Sequence, residues 1–64
     1  MKILNSTWFT QMGGAVIGIV KTQNEVGEIK YYIGSGLGTS IEDDEKHIAE
    51  TGARFPSEVA KKLL

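Results

Sequence analysis

Cysteine is absent from this 64-residue chain, proline occurs once, as Pro56, and histidine once, as His47. Without cysteine there is no disulfide framework, and a lone histidine supplies no ligand set for a structural metal. A domain this short buries only roughly 60% of the surface its unfolded chain exposes. Of the usual remedies for a thin core, oligomerisation is the one left. No apolar run is long enough to serve as a signal peptide or a membrane span, including the start Met1-Lys2-Ile3-Leu4-Asn5. Together with the missing cysteine, this makes the cytoplasm the expected location.

A large excess of either charge is also missing. The net charge of −1 argues against a long nucleic acid as partner, because wrapping a polyanion takes several cations acting together. The distribution is uneven. Lys2, Lys21 and Lys30 outweigh Glu25 and Glu28 in the first half, residues Glu42 to Glu45 with Glu50 form an acidic block, and Arg54, Lys61 and Lys62 restore positive charge near the end. A compact ligand with a few phosphates is compatible with such a surface.

The residues present specify one α+β domain spanning residues 1–64. Thr7-Trp8-Phe9-Thr10 is β-branched and aromatic and predicts a strand that ends at Gly13-Gly14. Ala15-Val16-Ile17-Gly18-Ile19-Val20 predicts the central strand, too short and too β-branched for a helix. Gln23 to Gly27 suits a hairpin turn leading into a third strand, Glu28 to Ile33. Short connections make this a three-stranded antiparallel β-meander. Thr39 or Ser40 caps a helix that Gly52 ends, glycine being suited to a left-handed C-terminal cap. Pro56 starts a second short helix with Val59, Ala60, Leu63 and Leu64 as its apolar stripe. In the central strand Ala15, Ile17 and Ile19 face one way and Val16 and Val20 the other, so both sheet faces are apolar. With both helices on one face, a second copy of the chain is the economical cover for the other, which predicts a homo-oligomer.

No residue set points to catalysis, to a metal or to a cofactor. Gly34, Gly36 and Gly38 lie between a strand and a helix, where backbone N–H groups can cradle a phosphate or simply form a flexible link. The spacing is neither the dinucleotide fingerprint nor a Walker loop, since no Gly-Lys-Ser/Thr follows. Residues Glu42 to Glu45 fan around a helix and cannot all face one ion, so they read as a solvated face. His47 stands at helical spacing from Asp43 and has no second base, so a surface role is expected. Trp8, Phe9, Tyr31, Tyr32 and Phe55 are available either for stacking on a base or for a core or subunit interface.

The segments Thr7 to Thr10, Gly14 to Val20, Tyr32 to Gly36 and His47 to Pro56, in that order and within so small a chain, resemble very small phage and prophage proteins. Within that group the chain is most similar to anti-defence sponges that sequester cyclic-nucleotide messengers of CBASS-type or Thoeris-type immunity. That resemblance implies a homo-oligomer in the host cytoplasm that binds a small nucleotide between protomers without cleaving it, with no membrane partner. Trp8 or Tyr32 would then stack on a base. Ser35, Gly36 and Thr39 would contact phosphate or ribose, and Arg54 would supply charge-assisted hydrogen bonds. The competing expectation is a protein-binding inhibitor or adaptor that docks on a host enzyme through its sheet face or its acidic helix.

Overall fold

A computed structural model describes residues 1–64. The element order is β1 (Lys2–Thr10), β2 (Val16–Gln23), β3 (Ile29–Ser35), α1 (Ile41–Thr51), β4 (Ala53–Arg54) and α2 (Ser57–Leu63). The antiparallel sheet runs β1-β2-β3-β4. The α+β class and the meander follow the sequence pattern. The correction is a fourth strand, two residues long, between the helices. β1 also begins earlier than its aromatic segment suggests, with a bulge between Ile3 and Asn5.

Local chemistry explains the boundaries. Gln11 N–H donates to the Ala15 carbonyl at 2.7 Å and Gly14 N–H to the Gln11 carbonyl at 3.0 Å, closing the first hairpin. In the second, the Asn24 side-chain oxygen accepts from the backbone of Val26 and Glu28 at 3.1 and 2.9 Å, the self-satisfied turn that asparagine favours. Ser40 caps α1 by accepting from Asp43 N–H at 3.1 Å.

The helices lie on opposite faces of the sheet, and this overturns the expectation of one bare face. Val20 packs with Ile48 and Ala49 of α1, flanked by Ile3, Trp8 and Tyr32. Its neighbour Ile19 points the other way, into Tyr31 and Ala60 of α2, flanked by Ile33, Phe55 and Leu64. β4 makes the crossing possible. Arg54 pairs with Tyr32 and Ala53 with Ile33, and Phe55 N–H donates to the Tyr31 carbonyl at 2.8 Å. The chain leaves α1 on one face, adds to the β3 edge and emerges on the other. Only nine of 64 residues are buried, so two thin layers replace the single core that was expected.

Gly52 serves this crossing through size. Its φ is −71°, not left-handed, which corrects the reason for a glycine there. A Cβ at Gly52 would lie 2.7 Å from the Ile33 carbonyl oxygen and would press on that of Ile48. The end of α1 therefore touches the β3 backbone directly.

Candidate functional site

The six residues expected to meet a ligand fall into two groups and an outlier. Trp8, Gly36 and Thr39 converge around Asp44. Tyr32 and Arg54 are cross-strand neighbours on the α1 face at the β3–β4 edge. Ser35 pairs with Ile17, so its side chain faces the α2 side and is exposed. Trp8 and Tyr32 occupy adjacent rows of the same sheet face, but Ile48 of α1 is inserted over Gly18 and Gly34 in the Trp8 row. The two rings share no cleft.

Trp8 is half-buried. Its ring lies over Gly18, its indole N–H donates to Ser6 Oγ at 3.1 Å, and a Cβ on Gly36 would come within 3.4 Å of it. One ring face is thus spent on the sheet.

The glycine-rich segment holds an anion, and that anion belongs to the chain itself. Asp44 is 8% exposed. Its Oδ1 accepts from Leu37 N–H at 3.1 Å and from Thr39 Oγ1 at 2.9 Å. Its other oxygen would stand 3.0 Å from a Cβ on Gly36. Asp44 is the fourth residue of α1, and helical side chains lean toward the N-terminus, so the carboxylate reaches back into the loop that precedes it. This is the residue that sequence reasoning missed, because it sits in an acidic run that reads as solvated. A glycine loop followed at one helical turn from the N-cap by an aspartate is the signal that could have found it. A phosphate near Gly36 and Thr39 would have to displace this carboxylate or sit beside its charge.

Burial would raise the Asp44 pKa, but hydrogen bonds from the Thr39 side chain and the backbone of Leu37, Thr39 and Gly38 together hold it below the ordinary aspartate value. A depressed folded pKa gives stability that is fully present above the unfolded aspartate pKa, near 3.9, and is lost as pH falls through the folded value. Asp44→Asn is therefore expected to lower the melting temperature at neutral pH. The wild-type and variant melting curves should converge as the pH drops below about 4. Thermal melts followed by circular dichroism across that range check this, and a constant gap at all pH values would contradict it.

His47 Nε2 lies 3.4 Å from Thr51 Oγ1, whose hydroxyl donates to the His47 carbonyl at 2.7 Å. No group of three or more histidine or acidic side chains converges on a point. The surface concavity, about 360 Å³, is lined by Met1, Asn24, Glu25 and Val26 at the opposite end of the sheet from the loop; none of the six residues borders it. No helix is long and apolar enough to cross a membrane.

A different surface stands out at the loop end. Thr10 pairs with Val16, Ile17 with Ser35, and Gly36 N–H donates to the Val16 carbonyl at 2.9 Å. This brings the first hairpin, the glycine loop and the start of α1 to one end. Met12, Val16, Leu37 and Ile41 are all exposed there. The two segments supplying them, Ile3 to Val20 and Tyr31 to Ile41, contain no charged residue. Glu42 and Asp43 follow immediately. Ile41, the first residue of α1, is 65% exposed although Ile48 and Ala49 of the same helix are buried. No protein-family model, curated protein or solved structure matches this chain.

Proposed function

We propose that the chain is a non-catalytic, homo-oligomeric binding protein that docks on another protein through its loop end. The observation that carries this reading is the group of exposed apolar side chains Met12, Val16, Leu37 and Ile41 on uncharged segments, edged by Glu42 and Asp43. An apolar centre with a charged rim is the anatomy of a protein interface. A complementary partner presents an apolar patch with lysine or arginine beside it. Ile41→Glu keeps the fold, since Ile41 is exposed, and places a charge on the apolar contact. In affinity capture from the cells of origin, a partner retained by the wild-type chain and lost with Ile41→Glu supports the reading. Identical retention by both chains contradicts it.

The small-nucleotide sponge remains as a second reading because Arg54, exposed, stands beside the half-buried Tyr32 on one sheet face. A ring next to a guanidinium can stack on a base and meet a phosphate. In this reading the site is completed by a second protomer. Calorimetry against linear and cyclic nucleotides should then show binding that Tyr32→Ala and Arg54→Ala each weaken by about tenfold or more. The absence of binding across the panel would remove it.

A further inference from the structure

We propose that two copies of the chain pair β1 to β1, antiparallel and centred on Phe9, to form one continuous sheet. The inference rests on the homo-oligomeric part of the reading above and supplies the contact that the covered sheet faces no longer provide.

β1 is an edge strand of nine residues, whereas the other edge, β4, has two. The direction of its backbone groups follows from the hairpin. Gln11 N–H donates to the Ala15 carbonyl, while the Val16 carbonyl turns away to accept from Gly36 N–H, so Gln11 opposite Ala15 is a bonded position, and antiparallel pairs alternate between bonded and non-bonded. Phe9, Thr7 and Asn5 therefore direct their N–H and C=O groups toward β2, while Thr10, Trp8 and Ser6 direct theirs outward. The Ser6 N–H is already taken, by the Asn5 side chain at 2.9 Å. The bulge at Ile3 to Asn5 and the charge of Lys2 protect the rest of that end, the devices by which edges avoid association. Between Trp8 and Thr10 there is no such device. No backbone bond outside the regular elements engages either residue.

An antiparallel partner with the same sequence fits this short free edge. Trp8 of one copy opposite Thr10 of the other, and the reverse, exchanges four N–H···O=C bonds about a two-fold axis. Phe9 then faces Phe9 of the partner subunit in the closer, non-bonded pair. Phe9 is 42% exposed on the α2 face, beside the partly buried Ile17, so the pairing covers apolar surface as well as backbone. No charge occurs from Ile3 to Val20 to oppose the approach.

Two variants test the pairing in the full chain. Thr10→Pro removes the outward N–H and leaves the bonds to β2 in place, as proline is tolerated on an edge. It is expected to weaken self-association by about tenfold or more in sedimentation equilibrium while the far-ultraviolet spectrum stays that of wild type. Phe9→Cys puts the only thiols of the assembly in the closely spaced pair, about 4.5 Å between Cα atoms, within disulfide reach. It is expected to cross-link under mild oxidation, and Ile29→Cys, on the far end of the sheet, is not. A wild-type oligomer whose association is unchanged by Thr10→Pro, or that cross-links equally through Ile29→Cys, overturns this pairing and leaves the homo-oligomeric reading standing. A monomeric wild type at micromolar concentration overturns both.

Discussion

A glutamate in place of Val20 is expected to leave the chain unfolded at room temperature. Val20 is 0% exposed, enclosed by Ile48 and Ala49 above and by Ile3, Trp8 and Tyr32 beside it. Domains hold roughly 0.05–0.15 kcal/mol per residue of net stability, which for this length means only about 3–10 kcal/mol. Burying a polar group without a partner costs on the order of 2–7 kcal/mol, before counting the lost packing of the valine. Circular dichroism is expected to show no cooperative melt. Val16→Glu supplies the contrast: it lies on the same sheet face but at the loop end, 37% exposed, and should melt close to wild type. A cooperative melt of Val20→Glu near the wild-type temperature would mean that α1 does not cover this face.

The second large effect is expected at Gly18. A Cβ there would fall on the Trp8 ring, 2.7 Å from Cε3 and nearer still to Cζ3, and 2.9 Å from Ile48 Cδ1. Gly18→Val must push the indole off the sheet or drive α1 away. Overpacking of this kind costs about 1–3 kcal/mol, which in a domain this size lowers the melting temperature by about 4–8 °C for each kcal/mol. Tryptophan emission should shift to longer wavelength as the ring reaches water. A variant with wild-type emission and melting temperature would show that the indole is not seated on Gly18.

These two positions mark what the sequence could and could not disclose. The alternation of Ile19 and Val20 correctly indicates two apolar faces. Ser40 as helix cap and the turn at Asn24 are local chemistry, satisfied within a few residues, and the structure uses both. What covers each face is not local. It depends on Ala53-Arg54, whose composition carries no strand signal and which pairs only because β3 offers an edge. Once those residues pair, α2 has to emerge under Ile19, and the sequence argument for a second copy covering a sheet face no longer applies.

The candidate site was legible in the same uneven way. The glycine loop between strand and helix reads as a phosphate cradle or as a flexible link, and in the structure it closes on a side chain of its own helix through Leu37 N–H and the Thr39 hydroxyl. Its occupant, Asp44, was concealed by acidic neighbours that point to solvent. Trp8 reads equally as a stacking ring or as a core or interface residue until the register sets it across from Gly18, whose missing side chain makes room for the ring. The apolar loop end emerges only when Met12, Val16, Leu37 and Ile41, spread over two separate segments, are brought together by the fold.

That this chain works by docking on a protein through its apolar end, and not by binding a small nucleotide beside Tyr32 and Arg54, is checked by native mass spectrometry of the protein isolated gently from its cells of origin. The predicted result is a mass for the homo-oligomer bound to a second polypeptide, with that polypeptide lost in Ile41→Glu. A homo-oligomer carrying instead an added mass equal to a nucleotide, unaffected by Ile41→Glu and removed by Arg54→Ala, would contradict the claim.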